Sequence, residues 1–344
     1  MTKADLGRLT ALVLTLVAAI LLSLALGSTR IPLRGVFSAL MGTSRGSSGA
    51  FVVTTIRLPR SLTAMLAGAS LGIAGLQMQT LFENPLADPF ALGISSGANL
   101  GVALVVLDAG YGPASAFGTA MGMRGDALVT AAAIVGAGAV LTVVLIVSNR
   151  VASPTTVLVL GLMFGYAVSA VVTVLVGASR PERLQQWAQW GFGSFSGVTW
   201  QRLRLFAPLS IVGVLIALAT TKQLNALLLG ERYARSMGLK VRQARLLTMV
   251  GASLLGAVVT AFCGPISFLG IAVPHLCRGL FGTSDHRVLV PAVVLMGSVL
   301  ALLAQMLSLL PGSAGMLPLN AVTSLLGAPV VVAVLLRSRR GALA

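Results

Sequence analysis

The chain has 344 residues, 56% of them hydrophobic and only 9% charged, with a formal net charge of +16. Soluble domains average about 25% charged residues, so a soluble globular protein is excluded and an all-α integral membrane protein is expected. Aromatics are few and the basic residues lie between apolar runs, so the positive charge reads as orientation signal and docking surface, not as a nucleic-acid footprint.

A membrane span needs about 20 mostly apolar residues. Ten such runs occur in order, near 9–29, 61–82, 90–107, 127–148, 156–177, 205–221, 246–263, 265–281, 288–310 and 318–336. Leu9 to Gly27 is too long for a signal-peptide core and shows no clear cleavage pattern, so it is expected to remain as a span. In the second run Ala64, Gly68 and Gly72 fall at i, i+4, i+8, and Gly97–Gly101 and Gly161–Gly165 repeat that spacing. Small residues so placed let helix backbones approach closely. The runs at 90–107 and 265–281 are short and begin at Pro89 and Pro265. They read as broken or re-entrant helices, tolerated only against protein or a water-filled cavity. Both carry an L-G-I core, in FALGISSG (90–97) and FLGIAVPH (268–275), and enter from opposite sides as an inverted repeat would. At the fifth run Ser153 is placed to cap the helix and Pro154 to open it.

Between the sixth and seventh runs lies KQLNALLLGERYARSMGLKVRQAR (222–245), with six of the 24 basic residues. Its middle reads as one short helix. Glu231 falls in the first turn, where a carboxylate suits the helix's positive end. Glu231 and Arg235 are spaced i,i+4 for a same-face pair, and Gly238 is placed as a left-handed stop. Leu228, Leu229, Tyr233 and Met237 offer apolar contact. The stretch is either a handle for a soluble partner or a solvated basic loop that only sets topology. Ten spans place both termini on one side, together with this loop, Lys3, Arg8 and the tail residues Arg337, Arg339 and Arg340; that side is assigned as cytoplasmic. Fourteen of the 24 basic residues then fall inside and ten outside, the latter all Arg, including Arg45 and Arg124. Arg's planar fork suits carboxylates, so an acidic extracytoplasmic partner fits.

No run carries Asp, Glu, Lys or Arg near its middle, which argues against an ion-coupled secondary transporter. The polar residues inside the runs are milder: Gln77, Gln79, Thr156, Ser169 and Gln305. There is no G-x-x-x-x-G-K-[ST] phosphate loop. Cys263, His275 and Cys277 match no standard metal spacing, and the cysteines read as packing residues. No catalytic constellation appears, so neither an enzyme nor a metal site is expected.

Four blocks together resemble one family. They are RLPRSLTAMLAGASLGIAGLQMQTLFENPLADPFALGISSGANLG (57–101), LLGERYARSMGL (228–239), GPISFLGIAVPHLCRGLFGTSDHRVLVP (264–291) and LPLNAVTSLLGAPVVVAVLL (317–336). In this order and spacing the chain resembles the FecCD-type permeases of ABC importers for iron siderophores, haem and cobalamin. The resemblance implies a type II ABC importer permease fold, a single transmembrane domain over 1–344 with about ten helices, in a bacterial plasma membrane. It implies a second permease, identical or not, two ATPase subunits carrying ATP and Mg, and an extracytoplasmic substrate-binding protein. It implies no cofactor in this chain.

By the same resemblance, Gly230, Glu231, Arg235 and Gly238 would couple to the ATPase. Arg57 and Arg60 would pair with glutamates of the binding protein. Ser153, Pro154, Thr155 and Thr156 would form the cytoplasmic gate, and the fifth and tenth spans would line the path. The chain departs from the family where a docking arginine is usual, having Ala304, Gln305, Met306, Leu307, Ser308 and Leu309 there. It departs again at Met316, where an acidic residue is usual, and at Asn320, where glycine is. The expected cargo is a ferric siderophore, with haem or cobalamin as the alternative.

Overall fold

The structure, a computed structural model, describes residues 2–27, 29–44, 46–107, 125–148, 150–151, 153–309 and 317–341. Arg45, Arg124 and Met316 lie outside the described residues, as do the side chains of Arg337, Arg339 and Arg340. Among the described residues every regular element is helical. Helix α1 (Lys3–Ala25) starts in a capping box, with Thr2 Oγ1 accepting from Asp5 N at 3.2 Å and Asp5 Oδ2 from Thr2 N at 2.8 Å. A short α2 (Leu33–Leu40) leads to α3 (Ser48–Leu81), a 34-residue helix that includes a π-helical stretch at Val52–Arg57. A 3-10 turn at Pro89–Leu92 opens into α4 (Ile94–Val106). Then come α5 (Asp126–Ser148), α6 (Pro154–Gly177), α7 (Pro181–Gly191), α8 (Trp200–Leu227) and α9 (Glu231–Ser236). The last four are α10 (Val241–Cys263), α11 (Leu269–Phe281), α12 (His286–Ser308) and α13 (Leu319–Gly341).

Each of the ten apolar runs coincides with a helix, but their lengths differ. Seven (α1, α3, α5, α6, α8, α10 and α12) are long and apolar enough to cross a bilayer. The apolar helices α4, α11 and the Leu319–Ala333 part of α13 are shorter. Thirteen residues of helix reach about 20 Å, less than a hydrocarbon core of about 30 Å. Several boundaries differ from the hydropathy reading. The α3 helix begins at Ser48 and not near 61, α8 runs on to Leu227, and α10 starts already at Val241. Charged residues end an apolar window without ending a helix, so the loop expected at 222–245 shrinks to the α9 hairpin.

The centre of the bundle is α3, flanked by α8, α10, α11 and α12. Its small residues allow that crowding. A Cβ on Gly68 would lie 2.1 Å from Gly297 O in α12, and one on Gly75 would lie 1.7 Å from Gly270 O in α11. The pair α4 and α5 meets the same way, Gly101 approaching Ala132 O so that a Cβ would sit at 2.0 Å. Gly161 of α6 packs on the 3-10 turn, where a Cβ would come within 2.8 Å of Ala91 O. The expected small-residue spacing is thus a packing device.

Polar contacts define the two ends. At one, Arg8 donates to Phe281 O at 3.3 Å, Thr80 Oγ1 meets His286 Nε2 at 2.9 Å, and Asn225 Nδ2 donates to Asp285 at 2.6 Å. At the other, Trp200 Nε1 donates to Thr54 O at 2.9 Å, Ser194 N to Cys263 O at 2.7 Å, and Asn320 N to Phe192 O at 3.0 Å. The short helices α4 and α11 run in opposite directions between these ends. Each is entered through a left-handed residue, Gly93 (φ 77°) and Phe268 (φ 69°). A phenylalanine there is strained. Gly327 of α13 leaves it room, since a Cβ on that glycine would be 2.4 Å from Phe268 Cβ.

Candidate functional site

The α9 hairpin sits at the end that holds Arg8 and Asp285. Gly230 (φ 91°) turns the chain out of α8, and Gly238 (φ 82°) turns it into α10. Both angles favour glycine, which lacks the Cβ that crowds them. Ala234 is fully buried and anchors the helix, its N–H reaching Gly230 O at 3.0 Å. Closure comes from Gly238 N to Arg235 O at 2.9 Å and Leu239 N to Ala234 O at 3.0 Å. Glu231 pairs with Arg235 at 3.3 Å, as its spacing implied, and also with Arg245 in the first turns of α10. The second pair joins residues 14 apart, beyond the reach of local spacing. It fastens α9 to a long helix. The outward side of the hairpin presents Leu228, Leu229, Tyr233 and Met237, all exposed, around the exposed Arg235. Arg150, Arg235, Arg242 and Arg245 border a cavity of about 280 Å³ beside it.

Ser153 stands at the N-cap of α6, but its side chain makes no capping hydrogen bond; only its carbonyl engages, accepting from Val157 N at 3.3 Å. Pro154 is the first helical residue, as its missing N–H permits. Thr155 and Thr156 are exposed next to buried Val157.

The two arginines expected at the binding-protein side part company. Arg57 is only 6% exposed. Its guanidinium donates to Leu24 O at 2.7 Å, to Thr29 Oγ1 at 3.1 Å and to Thr29 O. The last carbonyls of a helix lack amide partners; Arg57 supplies a donor to one of them, Leu24 O, and others to Thr29 beyond the helix, tying the end of α1 to α3. Arg60 is half-buried and borders a cavity of about 470 Å³ shared with Gln189, Gln305 and Ser308. Asn320, standing where glycine is usual, bridges two loops: its Oδ1 accepts from Ser267 N at 3.0 Å while its N–H holds Phe192 O. Nothing in the sequence pattern signalled that bridge.

Among the other polar residues, Gln77 donates to Thr220 at 3.2 Å, and Gln79 takes a hydrogen bond from Arg278 while donating to Ile271 O at 3.3 Å. Cys263 and Cys277 are buried free thiols, and His275 Nε2 rests on Pro85 O at 2.7 Å. In the connection after α3, Asp88 caps the 3-10 turn through Ala91 N at 2.9 Å. Burial pushes the Asp88 carboxyl up to about 6 against the hydrogen bonds from Ala91 and Phe90.

The model of the FecCD transport family matches residues 15–337. The chain belongs to that family. It is 39% identical over 95% of its length to the vitamin B12 import system permease protein BtuC of Klebsiella pneumoniae, covering 93% of that protein. It is 37% identical over 96% of its length to BtuC of Citrobacter koseri, covering 94%. In three dimensions it matches a metal-chelate type ABC transporter captured facing inward, with a TM-score of 0.81 and 27% identity over 96% of this chain and 99% of that one. The protein is therefore a multi-pass inner-membrane permease subunit of an ABC importer with the type II fold, working with ATPase and substrate-binding partners. It is not itself an enzyme; the ATPase is a separate subunit.

Proposed function

We propose that this FecCD-family permease forms half of a path for a cobalamin-type metal chelate and is driven through α9. The observation that carries the coupling reading is the double tie of Glu231 to Arg235 and Arg245 beneath an exposed apolar surface. A partner gripping Leu229, Tyr233 and Met237 would move α9, and the Glu231–Arg245 pair would pass that movement into α10. Gly230 and Gly238 hold the hairpin's shape. The end bearing α9 and both termini is then cytoplasmic, and ATP and Mg stay on the two ATPase subunits.

Large side chains left exposed on α6 (Met163, Tyr166, Val174) and α13 (Leu325, Val332, Leu336) support pairing with a second permease, the same chain or a non-identical one. In that pair the turn Ser153–Thr156 would close the inner end. Arg60 would meet the binding protein, and Arg57 would hold the outer loop that positions it. Cobalamin is preferred over the ferric siderophore expected from motifs because both vitamin B12 permeases match at 37–39% identity along nearly the whole chain. The siderophore remains a second reading, favoured by the metal-chelate type transporter that shares the fold. Uptake of labelled cobalamin and of a ferric siderophore panel into proteoliposomes, with and without ATPase and ATP, tests both. ATP-dependent cobalamin accumulation is expected; ATP-independent accumulation would overturn the coupling reading, and siderophore uptake alone the cargo reading.

A further inference from the structure

Helix α2 is apolar on two sides, and only one of them is covered. Val36 and Ala39 are buried with Leu24, Ala25 and Val53, which fixes the helix to the end of α1 and to α3. Leu33, Phe37 and Leu40 are 48%, 52% and 43% exposed, and Met41, which follows the helix, is 81% exposed. At about 100° per residue, these four side chains share one arc of about 100°. Arg34 falls at the edge of that arc, about 60° from Phe37. Arg34 is exposed, as is Arg30 just before the helix. Neither guanidinium has a partner among the described residues.

The depth of α2 follows from its neighbours. Arg57 stands level with the end of α1, where it donates to Leu24 O. Beyond it, Leu58–Leu81 has 24 residues, about 36 Å of helix, which spans a hydrocarbon core of about 30 Å. Val53, on which α2 packs, lies one turn the other way, about 6 Å past Arg57. The headgroup layer adds about 5–8 Å on each side of the core, so α2 stands at headgroup depth. Trp200 marks the same level: its Nε1 donates to Thr54 O at 2.9 Å and its side chain is 42% exposed. Tryptophan is enriched at this boundary. A phospholipid layer there answers both halves of the exposed face. Chain segments cover the apolar arc, and phosphate oxygens accept from the planar guanidinium forks.

We infer that α2 is an interfacial helix of the leaflet opposite α9, its apolar arc set among lipid chains while Arg30 and Arg34 hold the phosphates of anionic phospholipids. Basic amphipathic helices bind membrane surfaces by this combination of buried apolar area and charge. Here it would pin the junction of α1 and α3 to the bilayer surface. The inference is independent of the cargo.

The test uses the full permease in lipid nanodiscs. Cys263 and Cys277 are buried, so a thiol-reactive NBD probe can be directed to Phe37→Cys. Met41→Cys, at the most exposed position of the arc, repeats the measurement should Phe37→Cys fail to fold. Phospholipids brominated along their chains should quench the probe, and aqueous iodide should not. A probe on Gln185→Cys, at an exposed position of α7, should respond the other way. Diluted equally into phosphatidylcholine, brominated phosphatidylglycerol should act as if about fivefold enriched over brominated phosphatidylcholine, the preference of about one surface arginine for anionic lipid. Arg30→Gln with Arg34→Gln should abolish that excess. Quenching by iodide and not by bromine overturns the inference and places α2 in water. Equal quenching by the two headgroups, or an excess that survives loss of both arginines, overturns it as well. Shielding from iodide that appears only when the binding protein is added overturns it by assigning the face to that protein.

Discussion

Helices α3 and α6 read alike as text. Both are apolar, both reach spanning length, and both carry small residues four apart. Yet 83% of the most apolar stretch of α3 is buried inside the subunit, against 22% of that of α6. The glycines of α3 face backbone on two sides, Gly297 and Gly270, while α6 spends Gly161 and Gly165 on one contact with the 3-10 turn and the start of α4. The rest of α6 is left to lipid or to another permease. Hydropathy measures compatibility with an apolar surround; it cannot tell whether the surround is the protein's own core.

Substitutions can break that contrast. The largest effect is expected from Gly75→Val in α3. Its side chain would collide with backbone at Gly270, which cannot rotate away, so folded protein should be lost, by about 4 kcal/mol or more, read as absent monodisperse material after extraction. Gly177→Ala at the end of α6 meets nothing within 4 Å and should alter stability by about 1 kcal/mol at most. Equal tolerance at both positions would show that α3 is not the packed centre.

Next in size is Glu231→Ala, which leaves Arg245, 10% exposed at its side chain, without its carboxylate. A partly exposed pair of this kind should cost about 1–3 kcal/mol. ATP hydrolysis by the assembled importer should continue while uptake falls at least tenfold. Retained uptake in a stable variant would count against α9 as the coupling element.

Asp88 gives a pH signature. Its carboxyl titrates near 6 in the folded chain against an ordinary 3.8. The fold holds that proton more tightly than the unfolded chain does, so the stabilising contribution is full below about 3.8 and is lost as pH rises through 6. Asp88→Asn keeps a capping oxygen and should therefore be more stable than wild type at pH 8 by on the order of 1–3 kcal/mol, read as a higher melting midpoint. The advantage should vanish near pH 4, and parallel melting curves across that range would contradict the shift. The smallest effect on folding belongs to the exposed face of α6: Val174→Ser should leave each subunit's stability within about 0.5 kcal/mol. It should nevertheless increase the monomer fraction in light scattering if that face meets a second permease.

Much of this was legible in advance. The α9 helix, its i,i+4 pair, its stop at Gly238 and the small-residue contacts follow from local spacing, which sequence displays directly. Pairings between distant segments do not. The fastening of Glu231 by Arg245, the burial of Arg57 against the end of α1, and the bridge made by Asn320 each join residues that only the folded chain brings together. Ser153 shows the converse: a residue of the right type at a helix start, with its hydroxyl left out of the cap. Charged residues also hid the true reach of α3 and α8, because a helix can continue past the membrane's apolar depth.

The wide turn at Val52–Arg57 carries one more implication. A π-helical segment accommodates a surplus residue without breaking the helix, and each residue advances a helix by about 100°. Deleting a single residue there would restore ordinary winding and swing everything before the deletion around the axis by that angle. Ser48 and its neighbours would then point away from where they now lie, while Arg57 kept its seat. The bulge thus works as a phase adjuster, setting independently how the two segments of one continuous rod on either side of it are aimed.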